Sequence, residues 1–311
     1  MTTPVNAVLI IDKPSGLTSH DVVARVRRIF KQRAVGHLGT LDPLATGVLP
    51  LVLGNMTRLA QFYLKSEKSY EGVIRFGFAT DTYDADGEPV GAAQEPTLSL
   101  GGLREIANKC HGVIEQMPPP FSAKKIQGVP AYKLTRRKKE APLKSVQVEI
   151  KEFEIVELDG PRARFRARVA SGTYLRCVAH DLGQSAGCGA HLESLRRTAV
   201  AEFTLADAHK LHELEQASKC EDGRGTRDVI DPAKPEQFLH DLFIHPRKLL
   251  PSLPMVTVTN EIAARIRHGQ AVNLPDTSRS PQVKVFQGER DLIAIAMRLA
   301  GTLFHPKTVL G

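Results

Sequence analysis

The segment GHLGTLDPLATGVLPL, residues 36–51, is the densest chemical punctuation in the chain. Gly36, Gly39 and Gly47 permit tight backbone paths, and Pro43 fixes the geometry just after Asp42. An aspartate held by glycine and proline between apolar elements suits a preorganised carboxylate. Such a group serves as a nucleophile or as a charge partner in glycosyl chemistry. The same Asp-Pro pair also suits an ordinary turn, so motif physics alone leaves both readings open. No GxxxxGK[ST] pattern is present, so the segment is not a phosphate loop. The four cysteines, Cys110, Cys177, Cys188 and Cys220, make no CxxC pair. Neither metal spacing nor a disulfide framework is supported.

The elements around this segment mix strands and helices. Residues 8–12 read as a strand and 14–16 as a turn. Thr18 or Ser19 can cap a helix whose apolar positions Val22, Val23, Val26, Ile29 and Phe30 share one face. Further strands are expected at 49–53, 70–78, 146–157 and 162–169. Helices are expected at 57–64, 98–110 and 174–185, and residues 81–87 form an acidic turn. Beyond 217–237, a polar stretch that reads as a surface insertion, residues 246–254 carry three prolines and read as a linker. After it come a short helix at 259–268 and two apolar runs flanking Gly288-Glu-Arg-Asp291, a hairpin signal. Strands and helices without regular βαβ alternation imply an α+β protein. The expected division is a domain at 1–250 and a small β-barrel-like module at 251–311.

Charge locates the partner. The 311 residues hold 42 Lys or Arg against 34 Asp or Glu, a net +8. Residues 118–144 alone carry +7 and residues 253–311 carry +3, which leaves the remainder at −2. A basic segment bounded by prolines reads as a surface loop for a polyanion. A second cluster is invisible in the sum. Arg162, Arg164, Arg166 and Arg168 alternate with Ala163, Phe165, Ala167 and Val169. Period two puts four guanidinium groups on one face of a half-buried strand. Their repulsion must be offset, by acidic neighbours or by phosphates. The first fourteen residues hold an apolar run of only five, and no stretch nears the ~18 apolar residues of a membrane span. No membrane partner is expected, and a reducing cytoplasm fits.

GHLGTLDPLATGVLPLVLGNMTR at 36–58 resembles the signature of the bacterial tRNA pseudouridine-55 synthases of TruB type. Further resemblances lie in family order: KPSGLTSHDVV at 13–23, KSYEGVIRFGFATDTYDADGE at 68–88, MPPPFSAKKIQGVPAYKL at 117–134, SGTYLRCVAHDLG at 171–183 and GCGAHLESLRR at 187–197. The resemblance implies the pseudouridine-synthase fold, a central mixed and mostly antiparallel sheet flanked by helices. Residues 251–311 resemble a PUA domain, an RNA-binding barrel, though less specifically. By position, Asp42 would be the catalytic aspartate and Arg176 its partner. Tyr70 would stack on the target base and is the candidate for removing the C5 proton. Leu195 would line the uracil pocket, and His37 would enter the RNA where flipped bases leave a gap. Arg58 would bind phosphate, Asp84 would support the site, and Lys124, Lys138 and Lys139 would grip RNA from a thumb at 118–144. No metal, nucleotide or redox cofactor is implied. The substrate would be the T-stem-loop of tRNA, bound by a monomer.

The chain departs from the family at three places, one of them the polar insertion near 221–228. Arg136-Arg137-Lys138-Lys139 puts a cation where a glycine is common, and Leu38 stands where smaller or polar residues are frequent. Two other functions would use the same residues. One is a non-catalytic tRNA-binding module relying on thumb and tail. The other is a nucleoside or glycoside hydrolase with Asp42 as nucleophile and Asp84 as its acid.

Overall fold

The computed structural model describes residues 4–119, 125–126, 129–130, 144–221, 242–275 and 278–311, with backbone alone at 125–126, 129–130 and 217–221. These fall into two units. One comprises Met1–Leu41, Val48–Leu64 and Glu202–Gly311, the other Asp42–Gly47 and Lys65–Ala201.

In the first unit the apolar run near the N-terminus becomes strand β1, Ala7–Lys13, with Leu9, Ile10 and Ile11 wholly buried. Helix α1, Ser19–Ile29, starts at Thr18 through a capping box. The Thr18 hydroxyl accepts from the Asp21 N–H at 3.1 Å, and the Asp21 carboxylate accepts from the Thr18 N–H at 2.8 Å. The helix buries Val22, Val23 and Val26, as the spacing requires. Strand β2, Val35–His37, pairs antiparallel with β3, Thr46–Leu53. The expected helix at 57–64 is instead a 3-10 turn, Gly54–Leu59, followed by one helical turn, Ala60–Tyr63.

The second unit carries β4, Lys68–Phe76, helix α2, Leu100–Asn108, and β5, Gly112–Gln116. It continues with β6, Val146–Asp159, β7, Arg162–Val169, helix α3, Leu175–Ser185, and β8, Ala190–Val200. Its strand order is β8-β4-β7-β6-β5, antiparallel throughout, and β8 also pairs in parallel with the first residues of β3. The sheet is therefore mixed and mostly antiparallel, with α2 on β6 and α3 on β8.

Sequence periodicity missed β5 and β8. In β8 the register shifts twice, between Leu192 and Ser194 and between Arg197 and Ala199. Each bulge breaks the alternation by which a strand is read. The arginine ladder is resolved in favour of acidic neighbours. Arg162 pairs with Glu193 at 2.8 Å, Arg164 with Glu157 at 3.5 Å and Arg166 with Glu71 at 3.1 Å. Arg168 pairs with Glu67 at 3.2 Å and also with Glu152. These exposed pairs relieve repulsion and, screened by solvent, add little to stability.

The first unit resumes with β9, His209–Lys210, parallel to β1, and helix α4, Leu211–Glu221. The segment expected to be a linker is anchored. Leu249 and Leu250 are buried, and the Leu250 N–H donates to Glu202 Oε1 at 2.8 Å and to Tyr63 Oη at 3.2 Å. Lys284 Nζ donates to the Leu249 carbonyl at 2.7 Å and the Arg247 carbonyl at 3.0 Å. Three prolines made this stretch look open, but its two leucines have an apolar site to fill.

Next come β10, Met255–Val258, helix α5, Asn260–Arg267, and strands β11, Val272–Asn273, β12, Gln282–Gln287, β13, Asp291–Ala300, and β14, Leu303–Val309. They form a five-stranded sheet in the order β10-β12-β13-β14-β11. Val256, Ile266, Val285, Ile293 and Phe304 belong to its own apolar core. Among the described residues no helix is long and apolar enough to cross a membrane.

Candidate active site

The backbone on both sides of Asp42 is held by hydrogen bonds. Buried Ser19, the first residue of α1, accepts the Leu41 N–H on its hydroxyl at 2.8 Å and donates to the Leu41 carbonyl at 3.2 Å. After Asp42, the Ala45 N–H donates to the Asp42 carbonyl at 3.1 Å, closing the turn that Pro43 sets up. Thr46 Oγ1 donates to the Leu195 carbonyl at 3.4 Å.

Gly47 then runs against β8, opposite Arg197. Its φ is +99°, and a Cβ there would meet the Arg197 carbonyl oxygen at 2.2 Å. Gly47→Ala is therefore expected to destabilise the fold by about 2–4 kcal/mol, combining backbone strain with a clash against backbone. Urea unfolding checks this. A loss below about 0.5 kcal/mol, an ordinary surface effect, would mean β3 shifts freely.

The Asp42 carboxylate faces the Arg176 guanidinium. Arg176 Nε lies 2.8 Å from Oδ2, and Nη2 donates to Oδ1 at 3.2 Å. The two groups differ in access: the Arg176 side chain is 5% exposed and that of Asp42 37%. The cation lies behind and the carboxylate faces outward. The rest of the guanidinium is also engaged. Nη1 donates to the Thr82 carbonyl at 3.2 Å and lies 3.3 Å from Asp84 Oδ2. Asp84 is as buried as Arg176 and also accepts from the Thr82 hydroxyl at 2.6 Å and the Asp86 N–H at 3.2 Å. One buried cation thus serves two carboxylates, one accessible and one enclosed. A guanidinium at this distance fixes the plane of a carboxylate.

Arg176 is held in turn by α3. The Tyr174 side chain makes no capping hydrogen bond to that helix; Gln116, buried at the end of β5, holds the Tyr174 backbone at its start. Its carbonyl oxygen accepts the Tyr174 N–H at 2.8 Å, and its amide donates to the Tyr174 carbonyl at 3.0 Å. Sequence reasoning missed Gln116 because it missed β5. The neighbouring Cys177 thiol is pushed up to about 12 by burial first and by Asp181 second. It is therefore no thiolate nucleophile near neutral pH.

Tyr70 is buried on β4 opposite Arg197 of β8, and Leu195 is buried two positions earlier on β8. Arg197 is wholly buried and hydrogen-bonded to Tyr70. Burial draws the Arg197 pKa down, while Tyr70 and Asp42 raise it. The Lys68 amine is lowered to about 8 by burial and then by the charge of Arg197.

His37 and Arg58 belong to the first unit. His37 lies half-buried on β2, its Nδ1 accepting the Gly39 N–H at 3.3 Å. Exposed Arg58 donates to the Val309 carbonyl at 2.6 Å. Lys124, Lys138 and Lys139 lie outside the described residues. Within the expected thumb, Lys125–Ile126 pairs antiparallel with Val129–Pro130. Among the described residues no three His, Cys, Asp or Glu side chains gather as metal ligands do.

Residues 27–175 match the TruB family pseudouridylate synthase N-terminal domain, and residues 176–235 match the tRNA pseudouridylate synthase B C-terminal domain. The chain belongs to the TruB family. Among the relatives of this TruB-family chain, the tRNA pseudouridine synthase B of Solibacter usitatus (strain Ellin6076) is 44% identical over 309 residues. That alignment covers 98% of this chain and 100% of the relative. The enzyme of the same name from Aliivibrio fischeri (strain MJ11) is 37% identical, covering 93% of this chain and 89% of its own.

The TruB-family fold is also shared with solved structures. An H/ACA RNP bound to a substrate RNA containing 2'-deoxyuridine superposes with a TM-score of 0.69 at 22% identity. It covers 98% of this chain and 85% of its own. A Cbf5-Nop10-Gar1 complex gives the same TM-score at 25% identity, with the same coverage. Both support the pseudouridine-synthase fold.

Proposed function

We propose that this chain isomerises uridine-55 in the T-loop of tRNA to pseudouridine, exchanging an N-glycosidic for a C-glycosidic bond. The observation that carries the reading is the accessible Asp42 carboxylate gripped by buried Arg176, in a chain whose relatives are named tRNA pseudouridine synthase B. The reaction is an isomerisation and needs no co-reactant. It does need a charged, aimed group beside the ribose and base, and Asp42 supplies one.

The target uridine leaves its stack to reach that group. The imidazole of His37 fills the vacancy. Tyr70 meets the extruded base with its ring and hydroxyl, and Leu195 lines the uracil pocket. Asp84 acts through Arg176, and Arg58 takes a phosphate. Residues 1–250 form the catalytic domain, with the 118–144 thumb inserted in it, and residues 251–311 form a PUA-like RNA-binding domain. The protein works as a monomer in the cytoplasm.

The deciding experiment incubates the protein with an unmodified T-stem-loop RNA and maps pseudouridine chemically. Conversion at the single T-loop position is the expected result. Release of free uracil would point to a hydrolase and overturn the reading, as would tight binding with no product.

The thumb gives a second, electrostatic test. Each phosphate contact by Lys or Arg releases counterions, steepening log affinity against log salt by up to about one unit. Replacing Lys138 and Lys139 by alanine is expected to flatten that slope by one to two units on the same scale. An unchanged slope would make the thumb cations bystanders.

A further inference from the structure

We propose that Arg197 is a positioning residue for Tyr70, its guanidinium holding the phenol oxygen where the target base meets it from within the sheet. The proposal rests on the reading that Tyr70 touches the target uracil.

Two strands bring the residues together. In the β8 register Arg197 stands opposite Tyr70 of β4, and on its other side opposite Gly47 of β3. Arg197 is the largest wholly buried side chain among the described residues. Burying a guanidinium is expensive, and an apolar side chain of similar volume is often as stable or more so at such a place. Packing alone therefore gives no reason for a cation here.

What the cation does is visible in its partners. It hydrogen-bonds the Tyr70 side chain, and the charge of Asp42 favours its ionised form. Its field also reaches Lys68. A phenol has one donor and two acceptor positions, and its O–H rotates. A guanidinium hydrogen bond occupies one acceptor position. That leaves the second acceptor position and the O–H for the substrate. Arginine is suited to the task because its planar fork is rigid.

The test is a double-mutant cycle on single-turnover pseudouridine formation in T-stem-loop RNA. Arg197→Met keeps volume and removes the cation. It is expected to slow wild-type turnover about tenfold to a hundredfold, less than the roughly 10²–10⁴-fold of losing a proton-transfer group outright. In a Tyr70→Phe background, already slow, the same change is expected to cost less than about twofold, because the hydroxyl it acts through is gone. RNA affinity is expected to be unchanged in all four proteins. Arg197→Lys, which keeps a cation but not the planar fork, is expected to fall between wild type and Arg197→Met.

Equal losses in both backgrounds would reduce Arg197 to a structural residue and overturn the proposal. So would wild-type turnover by Arg197→Met. Should Arg197→Met lose its far-ultraviolet circular dichroism, the cycle is run with Arg197→Leu, which also removes the cation, read by the same criterion. Tyr70→Phe at the wild-type rate is a different failure, because it would remove the reading of Tyr70 itself.

Discussion

Asp42→Asn is expected to abolish pseudouridine formation while leaving tRNA affinity within about threefold of wild type, a change under 1 kcal/mol. The substitution is nearly isosteric. Asparagine keeps an oxygen for the Arg176 fork but loses the charge and the nucleophilic pair. Removing a group that acts directly on the reacting atoms costs about 10⁴-fold or more in turnover. Binding is spared because the grip on RNA comes from elsewhere, from the basic 118–144 segment and the C-terminal tail. Single-turnover conversion of a T-stem-loop and filter binding of the same RNA check the two halves. Appreciable pseudouridine from Asp42→Asn would remove the carboxylate from the chemistry. Loss of binding alongside activity would mean that Asp42 is structural.

The grounds for expecting so clean a separation were partly present in the sequence. Glycines around an Asp-Pro mark a fixed loop, and the structure fixes it at both ends, through Ser19 and through Ala45. Charge partition separated two basic segments from a body at −2, and the carboxylate site lies in that body. The arginine ladder was legible as a strand, because period two survives any partner. The partners were not, because glutamates at 67, 71, 152, 157 and 193 become neighbours only through strand register.

What stayed hidden lies on two strands whose pattern the sequence does not display. Leu195 and Arg197 ride on β8, whose two bulges erase the alternation that would reveal a strand. Gln116 ends a five-residue strand whose Val113 is exposed, so no buried face announces it. Tyr70 was visible as a strand residue, but the guanidinium opposite it was not. Motif resemblance named Leu195 and left Arg197 and Gln116 unassigned, because neither physics nor family pattern singled them out before the sheet was assembled.

Arg176 carries the second large expected effect, and it separates catalysis from stability. Its guanidinium serves Asp42 through Nε and Nη2, and Asp84 with the Thr82 carbonyl through Nη1. Arg176→Met leaves Asp84 enclosed without its cation. Breaking a buried ion pair from one side costs about 3–5 kcal/mol, so urea midpoints are expected to fall sharply. Turnover is expected to fall about a thousandfold, because the Asp42 carboxylate loses both its partner and its orientation. Arg176→Lys supplies one point charge where three directions are needed. It is expected to recover part of the stability while remaining about a hundredfold slow. The decisive protein is Arg176→Met combined with Asp84→Asn. Neutralising Asp84 removes the uncompensated buried charge, while Thr82 and the Asp86 N–H still satisfy the side-chain oxygen. Most of the lost stability is expected to return, yet turnover is expected to stay low, since nothing then aims Asp42. Recovery of both would mean that Arg176 serves the fold alone, and that the Asp42 carboxylate finds its geometry without it.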